Sequence, residues 1–289
     1  MGLRRGTDRD AEPLPPGTTP AGERPGQPEE APAGERAGRP EEAPALSVRG
    51  LSVSYGEVAA LRDVSFDLTS HRVTALLGMN GSGKSSLFNA VSGFIRPDAG
   101  EVRVLGMSAA RARRSNLVGY MPQSEAVDWG FPISVREVVM MGRYGYMGPG
   151  RHPRRQDREA VAAALERVGL TEFAHRQIGQ LSGGQRKRAF LARSIAQGAR
   201  LLLLDEPLAG VDRVSTRTIA DLLKSLAAEG VTVLISVHEI GTLAELAEEA
   251  ILLRRRVVYR GTAEDVLKPE HLALAFGDDA DAGAGTEEE

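Results

Sequence analysis

The chain has 289 residues, which predicts one or two domains and is enough to bury about 75% of the unfolded surface. Hydrophobic residues make up 42% of the chain and charged residues 26%, and the net charge of −3 does not suggest a strongly basic nucleic-acid-binding protein. The chain has no cysteine and no apolar run near the roughly 18 residues of a membrane span, which excludes disulfides and thiolate metal sites and predicts no membrane helix.

Residues 1–45 have the composition of a disordered leader. They contain nine of the sixteen prolines and no aromatic residue, valine or isoleucine, and residues 21–32 recur at 33–44 with ten of twelve positions identical. So little apolar surface cannot offset the entropy lost on ordering, and we interpret the repeat as a spacer, with a binding motif as the alternative. Residues 277–289 carry six acidic residues and no basic one, which predicts a disordered acidic tail.

Residues 46–276 lie between these ends and carry six more basic than acidic residues. Short apolar runs without polar alternation, typical of strands covered on both faces, occur at 73–77, 201–204 and 231–235. Helical patterns occur at 84–92, 156–168, 184–197 and 215–228. Further strands, of an antiparallel sheet, are predicted at 46–55, 64–68 and 101–105. The alternation of strands and helices predicts an α/β fold.

A glycine-rich loop follows the strand at 73–77. Residues 78–85, Gly-Met-Asn-Gly-Ser-Gly-Lys-Ser, satisfy the pattern G-x-x-x-x-G-K-[ST]. The glycines let backbone N–H groups converge on phosphate oxygens, Lys84 can reach the β- and γ-phosphates, and Ser85 can bind Mg²⁺. A chance glycine turn is the alternative, but a strand before it and a helix after it favour the phosphate loop. The predicted nucleotide-binding residues here are Gly78, Asn80, Gly81, Ser82, Gly83, Lys84, Ser85 and Ser86.

Two carboxylates follow the apolar strand at 201–204. Asp205, at the tip of a buried strand, can hold hydrated Mg²⁺ beside the phosphate loop, and Glu206 is placed to polarise an attacking water. Two acids that merely end a strand are the alternative, which the accompanying phosphate loop disfavours.

The pentapeptide Leu-Ser-Gly-Gly-Gln at 181–185 precedes a predicted helix. Ser182 is a good N-cap, and the free N–H groups at the helix start can form a second anion site. One fold can hardly direct two phosphate-binding devices, about a hundred residues apart, at one nucleotide. A head-to-tail pair of chains uses both, with each nucleotide between one chain's loop and the other chain's helix start. An ordinary capped helix is the alternative.

Over about residues 46–276 the chain resembles the ATP-binding-cassette (ABC) ATPases, with the motifs in that family's order. The resemblance implies ATP and Mg²⁺ as cofactors and a homodimer of cassettes in the ATP-bound state. It implies that Tyr55 stacks on adenine, Gln123 senses the metal and the attacking water, Asp212 lies at the dimer interface and His238 contacts the γ-phosphate.

The resemblance also assigns the other functional residues and the fold. The implied catalytic residues are Lys84, Gln123, Glu206 and His238. The implied magnesium ligands are Ser85, Gln123 and Asp205. The residues implied to complete the partner's site are Ser182, Gly183, Gly184 and Gln185. The implied fold is a P-loop NTPase cassette, with a RecA-like parallel-sheet core, an antiparallel β subdomain and a helical signature subdomain at about 124–198.

Further stretches resemble the manganese/zinc/iron importer branch of the family, at 123–132, 140–146, 175–179 and 208–212. Glu239 departs from the wider family, in which Asp commonly follows the histidine. This resemblance implies an ATPase subunit at the cytoplasmic face of the cell membrane that drives import of a divalent transition metal. It implies a membrane permease docked near residues 123–147, an extracytoplasmic metal-binding protein acting through the permease, and no nucleic-acid partner.

Two alternatives accompany these expectations. The chain could be an ABC ATPase for a different substrate, or a soluble ABC ATPase without a transport role. Residues 120–147 contain five of the thirteen aromatic residues and four of the seven methionines, which suits an interface or, alternatively, a small hydrophobic core.

Overall fold

The computed structural model describes residues 43–123, 131–237 and 240–276, all in one structural unit. The acidic tail and nearly all of the predicted leader lie outside the described residues, so both stay predictions. Ala45, which we assigned to the leader, is fully buried, and its N–H donates to the carbonyl oxygen of Leu68 at 3.1 Å. The folded part therefore begins slightly before residue 46.

The described elements follow the predicted order of strands and helices. The strands are β1 (Leu46–Tyr55), β2 (Val58–Leu68), β3 (Val73–Leu77), β4 (Ala99–Val104), β5 (Met107–Ser108), β6 (Val118–Met121), β7 (Leu201–Leu204), β8 (Thr232–Ser236), β9 (Glu249–Leu253) and β10 (Val257–Thr262). The helices are α1 (Lys84–Val91), α2 (Ala109–Arg114), α3 (Val135–Met140), α4 (Arg155–Arg167), α5 (Gly183–Ala196), α6 (Arg213–Ala228), α7 (Leu243–Leu246), α8 (Ala263–Val266) and α9 (Pro269–Phe276). All four predicted helices are confirmed within two residues at each end.

A four-stranded antiparallel sheet, in the order β2-β1-β4-β5, lies at the start of the folded part. The sheet confirms the predicted antiparallel strands, but the prediction for β2 was wrong in length. Strand β2 begins at Val58, which pairs with Tyr55 across a two-residue turn. The run after Val58 lacks strict alternation, and pairing with β1 rather than its own pattern makes it a strand.

The central sheet of the described chain has six strands in the order β10-β9-β3-β8-β7-β6. Strands β9, β3, β8, β7 and β6 pair in parallel, and β10 adds an antiparallel edge. Every residue of β3, β7 and β8 is buried, which confirms the parallel sheet predicted from their unbroken apolar runs. Strand β8 begins at Thr232, one residue later than predicted, because the N–H of Val231 closes the preceding turn by bonding Leu226.

The two faces of the central sheet are covered by different layers. Val73, Ala75 and Leu77 of β3 pack with helices α3 to α9, whereas Leu76 packs with α1, α2 and the antiparallel sheet. This alternation follows from the period of two along a strand. Within the ranges 43–123, 131–237 and 240–276, no helix combines the length and the apolar composition that a membrane span requires.

A buried ion pair joins the segments between β6 and β7. The Nε of Arg143 donates to Asp157 at 3.0 Å, and an Nη1 of the same arginine donates to the carbonyl oxygen of Ala196 at 3.0 Å. A backbone N–H bond from Arg154, together with Arg143, lowers the pKa of Asp157. These bonds hold the 3-10 turn Met141–Tyr146 between α4 and the end of α5.

Gly142 permits close packing of that turn on α5. A Cβ atom at this position would lie 2.1 Å from the carbonyl oxygen of Arg193, so an added methyl group forces the backbones apart. We expect Gly142→Ala to lower the free energy of unfolding by about 1–3 kcal/mol, a typical cost of overpacking. Gly148→Ala is the matched control, because a Cβ there meets no atom within 4 Å. Equal urea-unfolding midpoints for the two variants would contradict the prediction.

Candidate nucleotide-binding site

The predicted phosphate loop connects the end of β3 to the start of α1. Gly81 and Gly83 have φ values of 80° and 100°, in the left-handed region that favours glycine. Gly83 also occupies the N-cap position of α1, so the first N–H groups of the helix are left without a side-chain cap. The loop thus leads into a helix start whose N–H groups have no side-chain cap, at the positive end of the helix dipole, as phosphate binding requires.

Neighbouring backbone segments pack so closely on this loop that two of its positions leave no room for a side chain. A Cβ at Gly78 would lie 2.3 Å from the carbonyl oxygen of Leu253, and one at Gly83 would lie 2.6 Å from the carbonyl oxygen of Ala60. The β1–β2 hairpin therefore packs against the loop. Tyr55, whose side chain is 51% exposed, lies at the end of this hairpin, as stacking on a base requires.

Lys84 is folded back into the loop. Its side chain is only 6% exposed, and its Nζ donates to the carbonyl oxygens of Gly78 at 2.8 Å and Met79 at 3.0 Å. Burial lowers the pKa of Lys84, and the charges of Glu206 and Asp205 oppose that shift. The ammonium group thus occupies the loop interior, where the phosphates of a bound nucleotide would lie.

The sheet brings Ser85 and Asp205 together across 120 positions of sequence. The Ser85 hydroxyl donates to Asp205 Oδ2 at 2.9 Å, and the Ser236 hydroxyl donates to Oδ1 of the same carboxylate at 2.7 Å. Asp205 is only 2% exposed, so both of its oxygens are held in fixed directions. Parallel pairing of β7 with β8, and of β8 with β3, places these three residues at one edge of the sheet.

Glu206 adopts a strained backbone conformation beside Asp205. Its φ of 51° is unusual for a residue other than glycine, and such strain concentrates at functional sites. The Glu206 N–H donates to Ser236 Oγ at 2.8 Å, and Gln123 Nε2 donates to Glu206 Oε2 at 2.5 Å. The structure therefore brings together Gln123 and the two carboxylates that the sequence predicts.

Ser236 is the residue of this site that the sequence analysis missed. One hydroxyl group accepts from the backbone N–H of Glu206 and donates to the Asp205 carboxylate, so it fixes that carboxylate and the backbone of Glu206 relative to β8. A signal was available, because Ser236 is a polar residue at the carboxyl end of a strand whose three preceding residues are apolar. Functional side chains of parallel sheets concentrate at that end.

The residues present fit a magnesium nucleotide. Ser82 Oγ is buried without a hydrogen-bond partner among the described residues, and it lies inside the loop that would surround the phosphates. Hydroxyl, carboxylate and amide oxygens of Ser85, Asp205 and Gln123 are the hard donors that Mg²⁺ prefers. Asn80 is exposed on the loop, and Ser86 is half-buried in the first turn of α1.

The signature pentapeptide forms the start of α5, as predicted. Ser182 and Gln185 make a capping box, in which each side chain accepts a hydrogen bond from the backbone N–H of the other residue. A Cβ at Gly184 would lie 2.6 Å from Ser215 Oγ, and one at Gly183 would lie 3.6 Å from the carbonyl oxygen of Gly210. Within this chain, the pentapeptide therefore packs on the start of α6.

Asp212 is the N-cap of α6. Its Oδ1 accepts from the N–H groups of Val214 at 3.1 Å and Ser215 at 3.0 Å, and the bond from Ser215 is the main cause of its lowered pKa. Beside it, a cavity of about 250 Å³ extends from residues 208–211 to Glu206 and Ser236. The roles predicted for Asp212 and the pentapeptide at a dimer interface stay predictions.

Some predicted residues are outside the described part of the chain. His238 and Glu239 come one residue after the end of β8, and residues 124–130 follow Gln123, but neither stretch is described. The role of His238 therefore stays a prediction. Among the described residues, no group of three or more histidine, cysteine, aspartate and glutamate side chains could hold a metal ion.

Comparison with known proteins identifies the family. Residues 61–209, about half of the chain, match the profile of the family described as ABC transporter. The manganese transport system ATP-binding protein MntA of Synechocystis sp. is 46% identical over 233 residues, 80% of this chain and 90% of that protein. The zinc transport system ATP-binding protein TroB of Treponema pallidum is 39% identical over 233 residues, 81% of this chain and 87% of that protein.

Solved structures agree with the fold. An inward-facing ABC transporter described as of the metal-chelate type is 31% identical, with a TM-score of 0.71, over 81% of this chain and 88% of that chain. A nucleotide-free ATP-binding cassette from an ABC transporter is 23% identical, with a TM-score of 0.72, over 82% of this chain and 100% of that chain, which supports the fold alone. This chain belongs to the ABC transporter family and has its P-loop cassette fold.

Proposed function

We propose that the chain is the ATP-hydrolysing subunit of a transporter that imports a divalent transition metal ion through a separate membrane permease. The observation that carries the hydrolytic part is the cluster of Ser85, Gln123, Asp205 and Glu206 beside the phosphate loop. The metal-import part rests on the relatives, whose names include manganese and zinc transport systems.

The site geometry supports in-line attack of water on a γ-phosphate. Lys84 would turn from the carbonyl oxygens of the loop to the β- and γ-phosphates, while the loop N–H groups bind the remaining oxygens. Ser85, Gln123 and Asp205 would hold Mg²⁺, which supplies charge neutralisation at the phosphates. Glu206 would accept a proton from the attacking water, His238 would orient the γ-phosphate, and Tyr55 would stack on adenine.

A second copy of the chain would complete each site. The N–H groups at the start of α5 would form an anion site, yet the atoms nearest to a Cβ at Gly183 or Gly184 belong to Gly210 and Ser215 rather than to the phosphate loop. A head-to-tail homodimer would direct the pentapeptide at the partner's nucleotide and place Asp212 at the interface.

The permease would dock on the surface formed by residues 131–147. Phe131 is 60% exposed, Met141 38% and Tyr146 41%, so this aromatic and methionine-rich stretch is not only a local core. Gln123, which bonds Glu206, lies eight positions before this stretch in the chain. The chain would act at the cytoplasmic face of the membrane, with an extracytoplasmic metal-binding protein delivering the ion to the permease.

Ser236 would position the Asp205 carboxylate and the backbone of Glu206 without contacting the nucleotide. We expect Ser236→Ala to lower kcat by about 10–100-fold, because the lost hydrogen bond to the Asp205 carboxylate is worth about 1.5–3 kcal/mol. ATP affinity should change much less, because the loop and Lys84 are untouched. Ser92→Ala is a control for removing a buried hydroxyl, because Ser92 Oγ bonds only carbonyl oxygens of α1. A change in ATP affinity as large as the change in kcat would contradict the positioning role.

The experiment that tests the proposed function measures metal accumulation in cells lacking this chain. Uptake of Mn²⁺, Zn²⁺ and Fe²⁺ is compared with that in cells carrying the normal chain or the Glu206→Gln variant. We expect loss of uptake of at least one ion, restored by the normal chain and not by the variant. Unchanged uptake of all three ions would contradict metal import, and a chain that copurifies with ribosomes would favour a soluble role.

A further inference from the structure

A cavity of about 280 Å³ lies between α6 and the segment 241–246, on the same face of the central sheet as α7 to α9. Three exposed basic side chains of α6 line it, Arg213, Arg217 and Lys224. We call this cavity the basic groove. Among the described residues, none of these three basic side chains is within 4 Å of a carboxylate, although Asp221 and Glu245 also line the groove.

We propose that the acidic tail, residues 277–289, binds in the basic groove of the same chain. The tail carries six acidic residues and no basic one, whereas residues 46–276 have an excess of six basic residues. The two parts of the chain are therefore opposite in charge and equal in magnitude. Because the tail and the groove belong to one chain, each is present at a high effective concentration relative to the other. Weak ion pairs are therefore enough for binding.

The tail can reach the basic groove. It continues from α9, which contacts α8; α8 contacts α7, and α7 contacts α6. At the roughly 8–10 Å spacing of packed helices, the path from α9 to α6 is about 30 Å. Thirteen extended residues span up to about 40 Å. The arginines of α2, by contrast, lie on the opposite face of the sheet.

A bound tail would lie close to the carboxylate cluster. Leu208, Thr216 and Thr242 line both the basic groove and the cavity that contains Glu206 and Ser236. The binding itself requires no nucleotide, so its test is independent of the proposed ATPase function.

The absence of native cysteine allows a direct test by disulfide formation in the full-length chain. One variant carries Gly241→Cys in the groove and Ala284→Cys in the tail, because a Cβ at Gly241 meets no atom within 4 Å. The control pair is Gly148→Cys with Ala284→Cys, since Gly148 has equally open space. We call Gly241→Cys with Ala284→Cys the groove pair. At low salt we expect the groove pair to form an intrachain disulfide at least about fivefold faster than the control pair. About 1 M salt should remove the difference, because the Debye length falls to about 3 Å.

Two further changes test the charge complementarity. In the variant with Gly241→Cys and Ala284→Cys, adding Arg217→Glu and Lys224→Glu should remove the salt-sensitive part of the disulfide-formation rate. Adding Arg255→Glu and Arg256→Glu instead, at two exposed positions of the β9–β10 turn, should leave that rate unchanged. Changing the six acidic residues of the tail to Asn or Gln leaves the groove intact. This change should also remove the salt-sensitive part of the disulfide-formation rate. The proposal would be overturned if the groove and control pairs formed their disulfides at equal rates, or if the disulfide formed between chains. It would also be overturned if only the β9–β10 variant lost the salt-sensitive rate of disulfide formation.

Discussion

Replacing Glu206 with glutamine is expected to lower kcat for ATP hydrolysis by about 10²–10⁴-fold, the usual contribution of a positioned general base. The amide has the shape of the carboxylate but cannot accept a proton from water. Glu206 is 8% exposed and its Oε2 accepts from Gln123 Nε2 at 2.5 Å, so the carboxylate that would act as the base is held in place. ATP binding should persist, because the phosphate loop and Lys84 are unchanged.

The measurement combines steady-state hydrolysis with chain mass in the presence of ATP. Without hydrolysis, the variant should accumulate as an ATP-bound dimer, whereas the normal chain returns to monomer as ATP is consumed. Glu229→Gln is the matched control, because Glu229 is an exposed glutamate that pairs with Arg167 on the surface. Near-normal turnover by Glu206→Gln would show that another group activates the water.

Replacing Lys84 with alanine is expected to weaken ATP binding by about 10–100-fold, because the net loss of one charge-assisted hydrogen bond to phosphate costs about 1.5–3 kcal/mol. The loss should appear in the dissociation constant, unlike the loss in Glu206→Gln. The variant also removes the bonds from Nζ to Gly78 and Met79, so thermal unfolding must be measured beside binding.

Lys268→Ala is the control for loss of a lysine. The chain has only four lysines, and the exposed Lys268, just after the end of α8, pairs with Asp265 at 2.7 Å. Calorimetric titration with Mg-ATP should give unchanged affinity for that variant. Undiminished affinity in Lys84→Ala, with the fold intact, would contradict the assignment of the loop as the phosphate site.

Local patterns predicted the parts of the site that depend on neighbouring residues. The phosphate loop, the N-cap at Ser182 and the carboxylates after β7 are each defined by a few adjacent positions, because φ values, caps and strand ends are local properties. The same holds for the buried strands, whose unbroken apolar runs indicated cover on both faces. The order of motifs then indicated the family, which the comparisons confirm.

Contacts between residues that are distant in the sequence could not be predicted from local patterns. Ser236 bridges Asp205 and Glu206 only because β8 pairs with β7, and no local pattern states which strands are neighbours. The hydrogen bonds of Lys84 to loop carbonyls and the conformation of Glu206 also depend on surrounding structure. The length of β2 was wrong for the same reason, since its first residues are ordered by their partner strand.

The sequence alone thus determined the α/β class, the phosphate loop, the signature helix and the acidic pair, because each is encoded within a short window. Only the tertiary structure decided that Ser85 and Ser236 meet at Asp205 and that Gln123 meets Glu206. The same holds for the position of the basic groove on the sheet face that carries α7 to α9. The physical reason is that strand order and helix packing are set by burial summed over the whole chain. A residue's partners across the sheet are therefore absent from its local sequence.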